Sequence, residues 1–151
     1  MPPLWLVPAT FVAHVAEEAP GFTSWAKRHA STRYTQRDFV RNNVLGTVLT
    51  LASTAVAARS RDRRVFAAFY TGVFAPQMLG NSVFHAGATV AYREYSPGLF
   101  TALGMFVPLW AAVTRSALRD GLMTGRGAVA SNLAAGALHA AVVADQVYFK
   151  T

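Results

Sequence analysis

His14, Glu17 and Glu18 stand three and four residues apart in the stretch FVAHVAEEAP, so on a helix the imidazole shares a face with both carboxylates. Imidazole and carboxylate together suit Zn²⁺ or non-haem iron, and a carboxylate left over can act as general acid or base. The three groups end the apolar run PPLWLVPATFVA, whose single polar side chain is a threonine. A charged side chain in hydrocarbon costs about 2.5–3.5 kcal/mol on insertion scales, so its presence there needs a reason.

Further along, other polar residues interrupt apolar stretches: Arg41, Asn42 and Asn43, then Asn81 with His85 four residues on, then Asn132, His139 and Asp145. The reading that joins them is one divalent-metal site, zinc first and iron second. His14, Glu18, His85 and His139 would be the ligands, and Glu17 with Glu18 the catalytic acid and base. Arg41, Asn42, Asn43, Asn81 and Asp145 would orient the ligands or contact substrate, with Arg41 pairing a glutamate and Asn81 either hydrogen-bonding His85 or lining one cavity with it. His29, in the basic stretch AKRHASTRYTQR, reads as solvated.

These residues need helices to carry them. The 151-residue chain is 53% hydrophobic and 14% charged, with a mean hydropathy of +0.28, whereas soluble domains carry about 25% charged residues. Apolar segments fall at 2–20, 39–58, 65–92, 96–113 and 128–149. Strand alternation is absent, and backbone groups in lipid must be paired internally. The expectation is a single all-α domain over 1–151: an integral, multi-pass membrane bundle of about five transmembrane helices, the first short. Pro76 and Gly80 mark a bend in the third segment, Ser96-Pro97-Gly98 opens the fourth, and small residues let the fifth pack closely.

The net charge of +7 lies mostly in short clusters between segments, which fits lipid-facing loops better than nucleic acid, for which no reader motif is present. The 14 Lys and Arg residues divide evenly between the two sides of a five-span bundle, so orientation is undetermined. Cysteine is absent, which excludes thiol chemistry and Cys-ligated zinc. With antiparallel spans, the polar groups of four segments fall in the same half of the bundle.

The HVAEE string near the N-terminus resembles the HXXEE-motif family of small multispanning membrane proteins, whose function is unassigned. Asn81 with His85 and a last-span His139 match what that resemblance implies for later spans, and YSPG at 95–98 is similar too. The function expected from the residues is a membrane metalloenzyme acting on a lipid or other apolar substrate, by hydrolysis. The alternatives are a metal-free acid/base isomerase or cyclase of a sterol- or terpenoid-like lipid, and a non-enzymatic proton-coupled transporter.

Overall fold

The computed structural model describes residues 3–149, and every regular element among them is helical. Residue 2, the expected start of the first segment, lies outside the described residues. Helix α1 spans Leu6–Glu18, α2 Phe22–His29 and α3 Gln36–Arg59. Helix α4 runs over 63–92 and includes π-helical stretches at Tyr70–Phe74 and Pro76–Gly80. Helices α5, Leu99–Arg119, and α6, Gly125–Tyr148, each carry one more, at Ala102–Phe106 and Ala144–Tyr148.

Local sequence explains where these helices begin and widen. Thr35 and Asp38 form a capping box at the head of α3, and Asp62 and Thr124 accept from the first backbone N–H groups of α4 and α6. Pro76 cannot donate to the helix ladder, and its ring would clash with the Gly72 carbonyl four residues back; that carbonyl lies in the π-helical stretch Tyr70–Phe74, whose wider turns make room for the ring. Helix α4 ends where Arg93 turns left-handed at φ 51°.

One helix was not expected. The basic stretch read as a loop begins inside α2, which buries Phe22, Trp25 and Ala26 and leaves Lys27 and Arg28 outside. Its three apolar positions follow helical spacing, but eight residues rich in charge hide that pattern. His29 is likewise not simply solvated: its ring stacks on Tyr92 with centroids 4.3 Å apart and its Nε2 lies 2.8 Å from Glu94.

Two apolar clusters hold the helices together. The larger joins Val7 and Phe11 of α1 to Phe66, Tyr70, Phe74 and Met78 of α4 and Phe106 and Val113 of α5. The smaller gathers Phe22, Trp25, Tyr34, Phe39, Ala88 and Val147. Away from both, Asn132 accepts from Tyr70 and Trp110, and Thr71 donates to Ser131, which ties α6 to α4 and α5. Small residues permit close approach, as expected: a Cβ on Gly80 would fall 2.5 Å from Cγ of His139.

Helices α5 and α6 are long and apolar enough to cross a membrane. Helix α1, with 13 residues, is about 20 Å long and falls short of a bilayer's hydrocarbon thickness of about 30 Å.

Candidate functional site

The site forms where the two apolar clusters meet. His14 packs against Phe106 of the larger cluster, with centroids 4.6 Å apart, and His85 lies edge-on to Phe84 and Phe22 beside the smaller one. Both imidazoles and the Glu18 side chain are buried. Their ligand atoms come within 4.8 Å of one another: Glu18 Oε1 lies 3.5 Å from His14 Nε2 and 3.4 Å from His85 Nε2. Neither Nε2 has a hydrogen-bond partner among the described residues. Buried polar atoms are seldom left in that condition.

The opposite ring nitrogens are anchored. His14 Nδ1 is 2.8 Å from Thr101 Oγ1, and His85 Nδ1 is 2.8 Å from Ser96 Oγ. Ser96 lies in the YSPG turn and Thr101 in the first turn of α5, so the α4–α5 junction holds both rings as well as opening a helix. The turn also presses against them. At Gly98, with φ at +107°, a Cβ would fall 2.7 Å from Cε1 of both His14 and His85. Only glycine combines that backbone with that approach.

Glu17 belongs to this anchoring. Its carboxylate accepts from the backbone N–H groups of Phe100, at 3.0 Å, and Thr101, at 2.7 Å, and from the hydroxyls of Tyr95 and Thr101. These two N–H groups are free donors in the first turn of α5, whose cap position is Gly98, a residue with no side chain to accept them. Glu17 supplies that cap from α1, a negative charge at the positive end of the helix. Burial and the adjacent Glu17 carboxylate push the Tyr95 phenol up to about 12, so it remains a donor.

The same contact assigns the His14 tautomer. Thr101 has one hydroxyl proton, and an ionised carboxylate attracts it more strongly than the Gly98 carbonyl at 3.2 Å. Thr101 Oγ1 is then the acceptor for His14 Nδ1–H, which leaves the Nε2 lone pair facing Glu18. Of the two glutamates expected to do acid/base work, Glu17 is thus held by four donors, whereas Glu18 faces the imidazoles.

The other expected residues divide by position. His139 is not in the three-residue ligand group. Its Nε2 is buried without a partner, and it borders a cavity of about 170 Å³ beside His14 and Glu18. Asn42, Asn43 and Asn81 border the same cavity. Asn43 also donates to the Phe39 carbonyl, and Asn42 accepts from Arg41 Nε. Asn81 is not the partner of His85, because Ser96 occupies Nδ1. Arg41 pairs with neither glutamate; it points outward from α3, 3.6 Å from Asp38 one turn back. Asp145 is exposed and does not border the cavity. It lies in the π-helical stretch of α6, where the wider turn presents Gln146 and Val147 to the cavity instead.

Sequence reasoning missed Ser96, Thr101, Gly98, Gln77, Gln146 and Tyr34. Gln77 exchanges hydrogen bonds with Thr50 and borders the cavity. Tyr34, from the α2–α3 turn, also borders it, and burial followed by the Glu18 carboxylate pushes its phenol above the ordinary range. A hydroxyl on either side of Pro97-Gly98 was the available signal, since the turn places both against helical histidines.

Neither the curated proteins nor the solved structures provide a match to this chain. A family model does, over residues 5–113, a stretch that holds His14, Glu17, Glu18, His85, Ser96 and Thr101 and stops before α6. The chain belongs to that family, described as protein of unknown function with HXXEE motif.

Proposed function

We propose that the chain is an integral membrane enzyme in which His14, Glu18 and His85 hold one divalent cation, zinc ahead of iron, and act on a lipid or similarly apolar substrate. The observation that carries this reading is the pair of unpartnered Nε2 atoms facing one carboxylate oxygen at 3.4 and 3.5 Å. For His14 the tautomer makes this an acceptor facing an acceptor, a buried arrangement that a cation relieves. The two distances to Glu18 suit one: bonds of about 2.0–2.1 Å in a tetrahedron put ligand atoms about 3.3–3.4 Å apart. Two histidines held at Nδ1 by hydroxyls are arranged like metal ligands oriented from behind.

The membrane setting is supported by an inverted surface. Polar groups converge inside while Leu45 and Leu49 on α3, Val83 and Val90 on α4, Phe100 on α5 and Leu133 on α6 are more than half exposed. Such a surface suits lipid, and with α5 and α6 as spans, the five-segment bundle is the arrangement that keeps α3 and α4 alongside them. Three protein ligands leave room for a water or substrate, and a cation there supplies Lewis-acid polarisation, which favours hydrolysis.

Metal analysis of purified protein tests this directly. The expected result is about one zinc or iron per chain, lost in His14→Ala, His85→Ala and Glu18→Gln. Substoichiometric metal that these variants leave unchanged would refute the metal site and favour proton exchange between Glu18 and the imidazoles, the chemistry of an isomerase or cyclase.

A further inference from the structure

Two spaces lie side by side near Glu18, the inner one richer in polar side chains. The inner one, the cavity of about 170 Å³, is bordered by the side-chain amides of Asn42, Asn43, Gln77, Asn81 and Gln146, and among the described residues no Lys or Arg lines it. The outer one is a groove of about 370 Å³ between α3, α4 and α6. Asn42, Gln77, His139, Val142 and Gln146 border both, so the two spaces adjoin. The groove's outer wall is apolar, with Leu45, Leu49, Val73 and Leu138, and Leu45 and Leu49 are 62% and 55% exposed on the outward side of α3. The groove therefore opens sideways, toward the surface where lipid chains would lie.

We propose that cavity and groove bind one single-chain lipid with an uncharged carboxylic ester or amide head. The head lies among the amides beside Glu18, and the chain leaves between α3 and α6. Side-chain amides offer both donors and acceptors, which matches a carbonyl with an adjacent hydroxyl or N–H. In the metal-free protein a phosphate or free carboxylate would meet the Glu18 charge with no Lys or Arg among the described residues to hold it. The groove's volume is near the low end of ligand pockets, about 300–1,000 Å³, which favours one chain over two. This assignment rests on the reading of the site as one that acts on an apolar substrate.

Photolabelling of the full-length protein in lipid nanodiscs tests it, with a monoacylglycerol bearing a diazirine near mid-chain as the probe. Labels are expected on α3 around 45–49 and on α6 around 138–142. In metal-free protein, unlabelled monoacylglycerol should compete about tenfold better than lysophosphatidate or a free fatty acid of equal chain length, a difference of about 1.4 kcal/mol. Leu49→Trp and Leu138→Trp, which narrow the groove from its outer wall, should each cut labelling about tenfold. Leu133→Trp, on the other flank of α6, should leave it unchanged. Labels confined to 79–84 and 132–137, equal competition by the anionic lipids, or full labelling of both groove variants would overturn the assignment. The metal reading is tested apart from it: labelling in metal-free protein supports the lipid site and refutes only the cation, whereas stoichiometric metal without groove labelling refutes only the lipid site.

Discussion

Two clusters in this chain each bring histidine and a second basic or imidazole group to one glutamate, and they differ in what fills the gap between them. At the surface, Glu94 pairs with His29 Nε2 at 2.8 Å and with Arg28, so both carboxylate oxygens are closed by hydrogen bonds. In the interior, Glu18 stands 3.4–3.5 Å from two imidazole nitrogens, and neither contact is a hydrogen bond. The surface cluster pins α2 to the end of α4. The buried one is built on helices, with its rings fixed from behind, yet the nitrogen and oxygen atoms that face each other make no hydrogen bond. A gap of that kind costs stability unless something occupies it, whereas the closed surface pair is complete in itself.

Variants should separate the two clusters sharply. On the proposed metal reading, the largest effect is expected from Glu18→Gln and His85→Ala: loss of metal from the purified protein, read by elemental analysis, while equivalent loss in Glu94→Gln would erase the contrast. Next, Thr101→Val removes the oxygen that orients His14, and should lower metal affinity about 10–100-fold, with Thr101→Ser restoring it. A merely structural Thr101 would show lower thermal stability with affinity unchanged. Gly98→Ala forces a methyl to within 2.7 Å of both rings, and a destabilisation of about 1–3 kcal/mol is expected from overpacking, measured by thermal unfolding in detergent.

The smallest effect belongs to the surface pair. Hydrogen bonds from His29 and Arg28 hold Glu94 below its ordinary value near 4.5. A depressed folded-state value stabilises above that ordinary value, and the contribution disappears as pH falls through the lower, folded-state one. Thermal stability should therefore decline slightly on acidification below about pH 4.5, and Glu94→Gln should flatten that part of the profile without changing metal content. A variant that altered metal binding would show that the clusters communicate.

Much of the helical layout was legible because apolar runs and turn residues are local signals. The stretches 39–58, 65–92, 96–113 and 128–149 all fall largely within helices. Helix α2 was not legible, since its three apolar residues are outnumbered by their polar neighbours over so short a length. Five complete spans do not follow from the helices alone, because α1 is short and α3 opens with Gln36, Arg37, Asp38 and Arg41. In the site, His14, Glu18 and His85 were legible as costly polar groups in apolar surroundings. Asp145 and Arg41 met the same criterion and point elsewhere, one in a π turn and one toward solvent. Cost in an apolar setting identifies candidates, but side-chain direction depends on helix phase and on what packs alongside.

The two adjacent glutamates state the division most clearly. The sequence by itself determined that a histidine and two carboxylates share one helical face, and that later helices carry further imidazoles. It did not separate the roles of Glu17 and Glu18, because both lie within a turn of His14. Successive side chains on a helix diverge by about 100°, so the neighbours face different partners. Only the packing of the α4–α5 turn against α1 decided which one caps a helix and which one faces the histidines.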